Sequence, residues 1–548
     1  MKKYYFLLLV LIMQNTGHAY GQTKRYDKTK EGFLVFHQIV KDEGGKIIPW
    51  CAARPSDAYE IILNKVWNFW DTMRADKNGL PYYMNHQVWL PDNNDSRGLG
   101  GDQMAQAISS WQLLYQYTGN ERVKDNMRFI ADYYITHSLS APTDAWPNIP
   151  YPYNTYVYSG FYDGDMILGK GFTQPDKAGS FGLELVKMYM LTGDEKYLDN
   201  AVDIANTLAG LTKTGDSINS PMPFKVHAIT NKIGLLKNYE GDTLGSTTYS
   251  SNWSGTMQLY QLLTGLKKGN AALYKSSFDK LLDWMKKYPL KNNRWGPFFE
   301  DVPGWSDTQI NAITFAKFMM QNPDLFPDWK NQVPKIFDWV YKKLGNDSWK
   351  KYGVIVINEQ TSYPVPGNSH SARQASAELL YSNLTGDTSR NENAVRQLNW
   401  ATYMVDVDGK NNYPRDEVWF SDGYVDYVRH YLNAMASMPE LAPDNANHIL
   451  SSTSIISRAD YAPFFNKYNV KDFPFEEEAQ MKIYYQTFDN KSIETIRMIA
   501  KPSQIYQGDK LMQQKENLKG DGWTWKAYDK GGLLTVKHSS SNKIKIRQ

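Results

Sequence analysis

The feature that most constrains the fold is a pair of successive helical segments that recurs through the middle of the chain. Six segments with helical periodicity each open such a hairpin, and they start near Asp102, Lys177, Ser254, Asp307, Ser371 and Asp422. Four of the six close with the same dipeptide: Thr118-Gly119, Thr192-Gly193, Thr264-Gly265 and Thr385-Gly386. Glycine favours the left-handed conformation that ends many helices. The pattern therefore predicts a stack of repeated helical hairpins.

The hairpins also indicate how the chain closes on itself. A second helix with one polar and one apolar face follows each of the first five, which suits an outer layer. The sixth hairpin has no second helix after Pro439, whereas the N-terminal helix from Asp57 to Met73 has no partner. Pairing these two unpaired ends gives six complete hairpins, so the sequence predicts a mainly α fold, an (α/α)6 toroid. An open solenoid of paired helices is the alternative.

The two ends of the chain differ from its middle. Lys2 and Lys3 precede a short apolar run from Tyr4 to Met13, and small residues follow, which is typical of a secretory signal. We predict a signal peptide over 1–21 and export to the periplasm, with no membrane association after signal removal because the apolar run is too short to span a bilayer. After residue 475, alternating segments separated by turn residues predict a small antiparallel β domain over 475–548. The toroid then occupies 22–474.

Composition excludes several functional classes. A formal charge of +3 over 548 residues, without a basic block, does not favour nucleic-acid binding. Cys51 is the sole cysteine, which excludes an internal disulfide and a cysteine-rich zinc site. The sequence contains no phosphate-binding loop, dinucleotide fingerprint or nucleophile elbow, so we expect no cofactor and no metal. It does not determine the oligomeric state.

Loop length indicates the working face. The connections before the first helix of each hairpin are long: Asn78 to Gly101, Ser140 to Asp176, Thr212 to Trp253, Leu290 to Ser306, Gly345 to His370 and Gly409 to Ser421. Because all inner helices of a toroid run parallel, these connections meet at one end, and long loops of this kind usually carry function. They are rich in tryptophan and tyrosine, whose flat faces and polar edges match a sugar ring. We predict a carbohydrate partner bound by Tyr162, Trp253, Trp305 and Trp419.

Acidic residues recur at the entrances to the inner helices. Trp305-Ser306-Asp307 and Phe420-Ser421-Asp422 share a pattern of aromatic residue, serine and acid, and Asp102 occupies the equivalent place in the first hairpin. Carboxylates from separate loops can form the acid/base pair that cleaves a glycosidic bond. Asp307 and Asp422 are the leading catalytic candidates, followed by Glu300, Asp102 and His370. The alternative for the aspartates is that they only complement the helix dipole.

Two arginines suggest the kind of sugar. Arg373 lies at the start of the fifth inner helix and Arg429 in the sixth. A guanidinium group can hold a carboxylate through two hydrogen bonds, which suits a uronic-acid sugar. The alternative is a salt bridge within the loops, with Glu359 or Asp422 as the partner of Arg373.

With six hairpins, a long-loop face and acid-bearing helix entrances, the chain resembles the six-hairpin glycosidase superfamily over roughly residues 55–450. Within it, the resemblance is to exported bacterial enzymes such as unsaturated glucuronyl hydrolases and β-glucuronidase-like relatives. In those relatives aspartates near the inner-helix entrances carry the chemistry, and the matching positions are Asp102, Asp307 and Asp422. The resemblance implies a glycoside hydrolase acting on a uronic-acid-containing glycan.

Two other functions remain open. The chain also resembles polysaccharide lyases that combine an α/α toroid with C-terminal β structure, and in that case Asn368, His370 and Arg373 could serve a β-elimination together with a loop tyrosine. The β tail is shorter than is common in those lyases. A periplasmic glycan-binding protein would need the aromatic loops but not the acidic cluster.

Overall fold

The computed structural model describes residues 33–34, 37–84, 101–156, 159–237, 242–299, 305–411, 425–461 and 482–548. The predicted signal peptide lies outside these residues. Twelve α-helices lie within them: α1 (Pro55–Asp71), α2 (Gly101–Thr118), α3 (Glu121–His137), α4 (Pro175–Thr192), α5 (Glu195–Leu211), α6 (Ser254–Gly265), α7 (Ala271–Met285), α8 (Gln309–Gln321), α9 (Trp329–Leu344), α10 (Asn368–Thr385), α11 (Asn391–Thr402) and α12 (Asp426–Ser437).

The even-numbered helices form an inner ring and the odd-numbered helices an outer one. Each even-numbered helix packs against the next, and α12 packs against α2, which closes the inner ring. The inner helices α4 and α10 are buried along most of their length, whereas α9 buries one apolar face. Small residues permit the close approach of the inner helices. At Gly179 of α4, an added Cβ would lie 1.9 Å from Oγ1 of Thr256 on α6.

Helix α1 completes the sixth pair, as the sequence predicts. The Tyr59 ring packs edge-on against Tyr431 of α12 at 4.8 Å, and its hydroxyl donates to Asn399 of α11 at 2.7 Å. Trp70 packs against Trp111 of α2 at 5.4 Å. These contacts join the first helix to the last hairpin and to the first inner helix. The predicted (α/α)6 toroid is therefore confirmed, and the open solenoid is excluded.

Three of the four Thr-Gly dipeptides end their helices as predicted. Gly119, Gly193 and Gly386 have φ values of 66°, 74° and 81°. Gly265 does not, because α6 continues through it and the left-handed residue is Lys267, with φ of 58°. The left-handed residue after α6 therefore lies two positions beyond the glycine at which the dipeptide predicts it.

Ten short strands lie in the described parts of the loops. Each odd-numbered strand pairs antiparallel with the even-numbered strand that follows it. They are β1 (Phe33–Leu34), β2 (His37–Gln38), β3 (Gly164–Asp165), β4 (Gly169–Lys170), β5 (Phe172–Thr173), β6 (Val226–His227), β7 (Leu235–Lys237), β8 (Thr243–Ser246), β9 (Gly345–Asn346) and β10 (Val356–Ile357). Four of these pairs lie within one loop each, whereas β5 and β6 join the loops before and after the hairpin of α4 and α5.

The C-terminal part of the chain is a sandwich of two antiparallel sheets. Its strands are β11 (His448–Ser452), β12 (Ile456–Tyr461), β13 (Lys482–Thr487), β14 (Ser492–Met498), β15 (Gln504–Gln507), β16 (Lys510–Leu511), β17 (Gly522–Ala527), β18 (Gly532–His538) and β19 (Lys543–Arg547). One sheet has the order β11-β14-β18-β17 and the other β12-β13-β19-β15-β16. Ile496 and Leu534 of the first meet Ile483 and Ile544 of the second in a core of their own.

The sandwich begins earlier than the sequence predicts. The expected boundary at 475 lies outside the described residues, but β11 and β12 already belong to the two sheets. His448 pairs with Arg497, and Ala459 pairs with Tyr485. β11 and β12 have five and six residues, so their local pattern is weak, and their pairing with residues about twenty to fifty positions away decides their structure.

The sandwich packs on the end of the ring opposite the long loops. His448 stacks on Tyr117 of α2 at 3.9 Å, and the Tyr461 hydroxyl donates to the Gln116 carbonyl. The turn from 452 to 455 faces the lower end of the ring, where it lines a cavity of about 280 Å³. Within the described residues, no helix combines the length and the apolar character needed to cross a membrane.

Candidate functional site

A cavity of about 300 Å³ lies on the axis of the ring and is lined by residues of all six inner helices. Its lining is rich in polar groups. They include Gln106, Ser109 and Gln112 of α2, Glu184 and Lys187 of α4, Gln258 of α6, Lys317 of α8, Arg373 of α10, and Arg429 and His430 of α12. Four lysines and arginines stand against one acidic side chain in this lining. We call this space the axial cavity.

A charged network centred on Asp426 stands at the wall of the axial cavity. Arg373 and the hydroxyl of Ser369, both on α10, donate to Oδ2 of Asp426. On α12 itself, Nε of Arg429 donates to Oδ1 at 2.6 Å, and Nε2 of His430 lies 2.9 Å from Oδ2. Residues at i, i+3 and i+4 share a helix face, which explains why Asp426 reaches the last two.

The network fixes the charge of its members. Burial alone would raise the pKa of Asp426, but Arg373, Arg429 and His430 outweigh burial and hold that pKa well below its usual value. Burial lowers the pKa of His430 well below its usual value, despite the opposing effect of the carboxylate. Near neutral pH the network therefore consists of one carboxylate, two guanidinium groups and a neutral imidazole.

Arg373 links three inner helices. Besides Asp426 on α12, it donates through Nη1 to Oε1 of Gln309 on α8 at 2.7 Å. The predicted alternative for this arginine was a salt bridge with Glu359 or Asp422. Asp422 lies outside the described residues, and the structure gives Asp426 as an ion-pair partner of Arg373. The reason is that α10 and α12 are neighbours in the ring, which brings the first turns of both helices together.

Lys317 is a cavity residue that the sequence analysis did not single out. Its Nζ donates to Oγ of Ser376 on α10 at 2.8 Å. Burial, followed by the charges of Arg429 and Arg373, lowers its pKa to about 7. The available signal was that this lysine is the one charged residue of the inner helix α8. By contrast, Lys187 forms an ion pair with Glu184 at 2.8 Å.

His370 is buried at the start of α10, and its ring lies 5.8 Å from that of Phe299. Among the described residues neither ring nitrogen has a hydrogen-bond partner. Burial, followed by the charge of Arg373, lowers its pKa to about 3. The imidazole is therefore neutral at pH 7. It can therefore donate one hydrogen bond and accept another.

Asp307 precedes α8 rather than lying in its first turn. Its Oδ1 accepts the backbone N–H groups of Trp295 and Gly296 at 2.9 and 2.8 Å. It is not among the residues that line the axial cavity. In this structure its carboxylate holds the loop that precedes the fourth inner helix.

Four predicted site residues have side chains outside the part of the chain that the structure describes. Glu300, Asp422 and Trp419 lie outside the described residues. Asp102 is in the first turn of α2, but its side chain also lies outside the described part of the chain.

Two predicted aromatic contacts are corrected by the structure. Trp253 is 0% exposed, with its indole N–H donating to the Ser250 carbonyl at 2.7 Å. Tyr162 is 2% exposed, and its hydroxyl donates to the Met84 carbonyl at 2.5 Å. Neither ring presents a face to a ligand. Most of the described aromatic residues of these loops pack the loops onto the ring, which the sequence pattern does not distinguish from ligand binding.

Trp305 differs, because 42% of its surface is exposed. The Arg294 guanidinium lies 4.1 Å from its ring centre, and Tyr249 packs against it edge-on at 4.9 Å. These three residues line a separate cleft of about 250 Å³ among the long loops. Trp305 thus remains available for contact with a sugar.

The comparisons with known proteins concern the fold. The sequence matches no protein-family model and no curated protein. The structure is similar to a sugar epimerase from a ruminal bacterium, with a TM-score of 0.50 and 14% identity over 70% of this chain and 98% of that one. It is also similar to the cellobiose 2-epimerase from Spirochaeta thermophila, with a TM-score of 0.51 and 11% identity over 70% and 96% of the two chains.

An unsaturated glucuronyl hydrolase specific for heparin matches more weakly, with a TM-score of 0.41 and 9% identity over 71% of this chain and 99% of that one. At these levels of identity the likeness concerns architecture alone. The chain has the fold of an (α/α)6 toroid.

Proposed function

We propose that the protein is a carbohydrate-active enzyme that hydrolyses a glycosidic bond in a uronic-acid-containing glycan, with the acidic sugar bound in the axial cavity. The observation that carries this proposal is the excess of positive charge in that cavity. Among the described residues of the cavity and its wall there are four cations, Lys187, Lys317, Arg373 and Arg429, and two acidic groups, Glu184 and the buried Asp426.

The geometry supports binding of a carboxylate. Nε and Nη2 of Arg429 donate to the Asp426 carboxylate, which fixes the orientation of the guanidinium group. The side chain of Arg429 remains 23% exposed at the cavity wall. A guanidinium oriented in this way can donate hydrogen bonds to an anion. Protein surrounds the cavity and lowers the local dielectric constant, so such charge-assisted bonds are stronger there than in bulk water.

The acid and base of the reaction are proposed among the candidate carboxylates whose side chains lie outside the described residues, namely Asp102, Glu300 and Asp422. Asp307 is a weaker candidate, because its Oδ1 already accepts two backbone N–H groups. Glu184 is a poor candidate because it is paired with Lys187. Replacing a general acid or base by its amide should lower kcat by about 10²- to 10⁴-fold. Asp422→Asn and Glu300→Gln are the first variants to compare, with melting temperature as the control for folding.

Elimination is a second candidate. A lyase neutralises the carboxylate of a uronate and removes the proton from the adjacent carbon. The described cavity lining offers cations for the first task, and its one acidic side chain is paired, which favours elimination over acid/base hydrolysis by cavity carboxylates. His370 or a loop tyrosine would then accept the proton.

One assay separates these possibilities. The purified protein is incubated with a panel of uronate-containing oligosaccharides and with the same oligosaccharides after reduction of their carboxyl groups. Hydrolysis adds the mass of one water, elimination creates an ultraviolet-absorbing unsaturated sugar, and epimerisation leaves the mass unchanged.

We expect hydrolysis of the uronates and a loss of activity on the reduced controls. Equal activity on both sets would refute the acidic-sugar assignment. Absence of any product, combined with measurable binding, would indicate a glycan-binding protein.

A further inference from the structure

We propose that Lys317 receives the carboxylate of the bound sugar, and that binding of this anion brings a proton into the axial cavity. This inference rests on the proposed function. It goes further by naming the residue that recognises the acidic group and by coupling recognition to proton uptake.

Lys317 is one of the residues that line the axial cavity. Ile310, Thr314, Lys317 and Gln321 of α8 all line it, and their spacing of three or four residues places them on one stripe of the helix. The stripe runs from the first turn of α8 to its last residue. Lys317 therefore lies more than two turns inside the ring, below the Asp426 network.

The ammonium group of Lys317 has no carboxylate partner among the described residues. Its one hydrogen bond there, at 2.8 Å, goes to the neutral hydroxyl of Ser376. That hydroxyl in turn is 3.0 Å from the carbonyl of Arg373. Burying a charged ammonium group beside a neutral acceptor costs free energy, because no opposite charge compensates for its loss of hydration.

The charged groups that face Lys317 offset little of this cost, because the two arginines outweigh the one carboxylate, that of Asp426. Arg373 on α10 and Arg429 on α12 carry the same charge, and they already occupy the Asp426 carboxylate together with His430. Across the cavity, on α4, the carboxylate of Glu184 is paired with Lys187. Every described acidic group that faces Lys317 in the cavity is therefore engaged with another cation.

These surroundings make Lys317 sensitive to an incoming anion. In the free protein, burial and the two arginines lower its pKa to about 7, so much of the group is neutral in mildly alkaline solution. A sugar carboxylate supplies the missing opposite charge and raises the pKa again. By linkage, an anion that raises the pKa on binding must take up protons when it binds.

Calorimetric titration tests this coupling. D-glucuronate is titrated into the full protein at pH 8 in buffers of different ionisation enthalpy, with D-glucose as the neutral control. The dependence of the observed heat on the buffer gives the number of protons exchanged. We expect an uptake approaching one proton per glucuronate at pH 8, much less at pH 6, and none with glucose.

Three variants assign the proton. Lys317→Met should lose the uptake and weaken glucuronate binding by roughly 10- to 100-fold, as expected for a charge-assisted hydrogen bond. Lys317→Arg should bind without uptake, because arginine stays charged. Lys275→Met is the matched control, since Lys275 lies on the outer helix α7 and pairs with Asp279 in solvent. It should behave as the parent protein.

The outcomes distinguish the two proposals. Glucuronate that binds without proton uptake, or with uptake that survives in Lys317→Met, would overturn the role of Lys317 and leave the proposed function standing. Failure of glucuronate to bind in any buffer would overturn both. If Lys317→Met does not fold, the pH dependence of uptake and the Lys317→Arg protein decide the question.

Discussion

Replacement of Asp426 by asparagine tests the central claim about the wall of the axial cavity. The carboxylate of Asp426 accepts from Arg373, Arg429, His430 and Ser369 at once. Asparagine keeps the shape but removes the negative charge and turns an N–H₂ group toward donors. Both guanidinium groups would then lose the negative charge of this carboxylate.

The magnitude follows from burial. The side chains of Asp426 and Arg373 are 1% and 4% exposed, so solvent screens their interaction little. Removing one partner of a buried ion pair costs about 3–5 kcal/mol. The hydrogen bonds of Arg373 to Ser369 and Gln309 remain, which favours the lower end. We therefore expect Asp426→Asn to lower the free energy of unfolding by about 3 kcal/mol.

Urea unfolding followed by circular dichroism measures the loss, and Asp279→Asn provides the matched control. Asp279 pairs with Lys275 in solvent, with side chains 51% and 75% exposed, so its replacement should leave the unfolding midpoint unchanged. A midpoint for Asp426→Asn equal to that of the control would refute the reasoning. The double variant Asp426→Leu, Arg373→Met should regain only part of the loss, because it removes the buried Arg373 charge but still deprives Arg429 of the Asp426 carboxylate.

Two further predictions concern packing and pH. Gly179→Ala should destabilise the protein by about 1–3 kcal/mol, because the new Cβ would meet Thr256, whereas Gly210→Ala on α5 meets no atom within 4 Å and should be neutral or slightly stabilising; urea unfolding of the two variants checks this. Burial acts to lower the pKa of His538, but its hydrogen bond and ion pair with Glu494 outweigh burial and raise it. The stability from this pair should thus be complete below pH 6.5 and lost as pH rises through the higher folded value. Melting temperature against pH should show that loss, and His538→Gln should abolish it.

The sequence by itself determined the architecture of the ring. The hairpin repeat and the two unpaired helical ends specify six pairs, since helical periodicity is a local property. Short-range signals also set many helix ends, as with Gly193 and Gly386. The N-cap side chains of Asn120 and Asp194, which accept from the backbone of the first turn, are equally local.

The helical pattern and the lengths of the loops likewise predicted which end of the ring carries the candidate site. The long connections meet at the N-terminal ends of the inner helices, where the Asp426 network lies. The identity of Arg373 and Arg429 as cavity residues was therefore predictable. Their partner was not, because Arg373 and Asp426 are 53 positions apart and meet only through the packing of α10 on α12.

Tertiary structure decided what each side chain is free to do. Trp253 and Trp305 carry the same aromatic-serine signature, yet one is buried and the other is 42% exposed. The Asp307 carboxylate accepts hydrogen bonds from two backbone N–H groups. β11 and β12 form because strands distant in the sequence pair with them. Lys317 becomes a candidate for anion recognition only when two arginines and a closed cavity surround it. Burial, charge and partner choice depend on segments far apart in the chain, so no local pattern carries them.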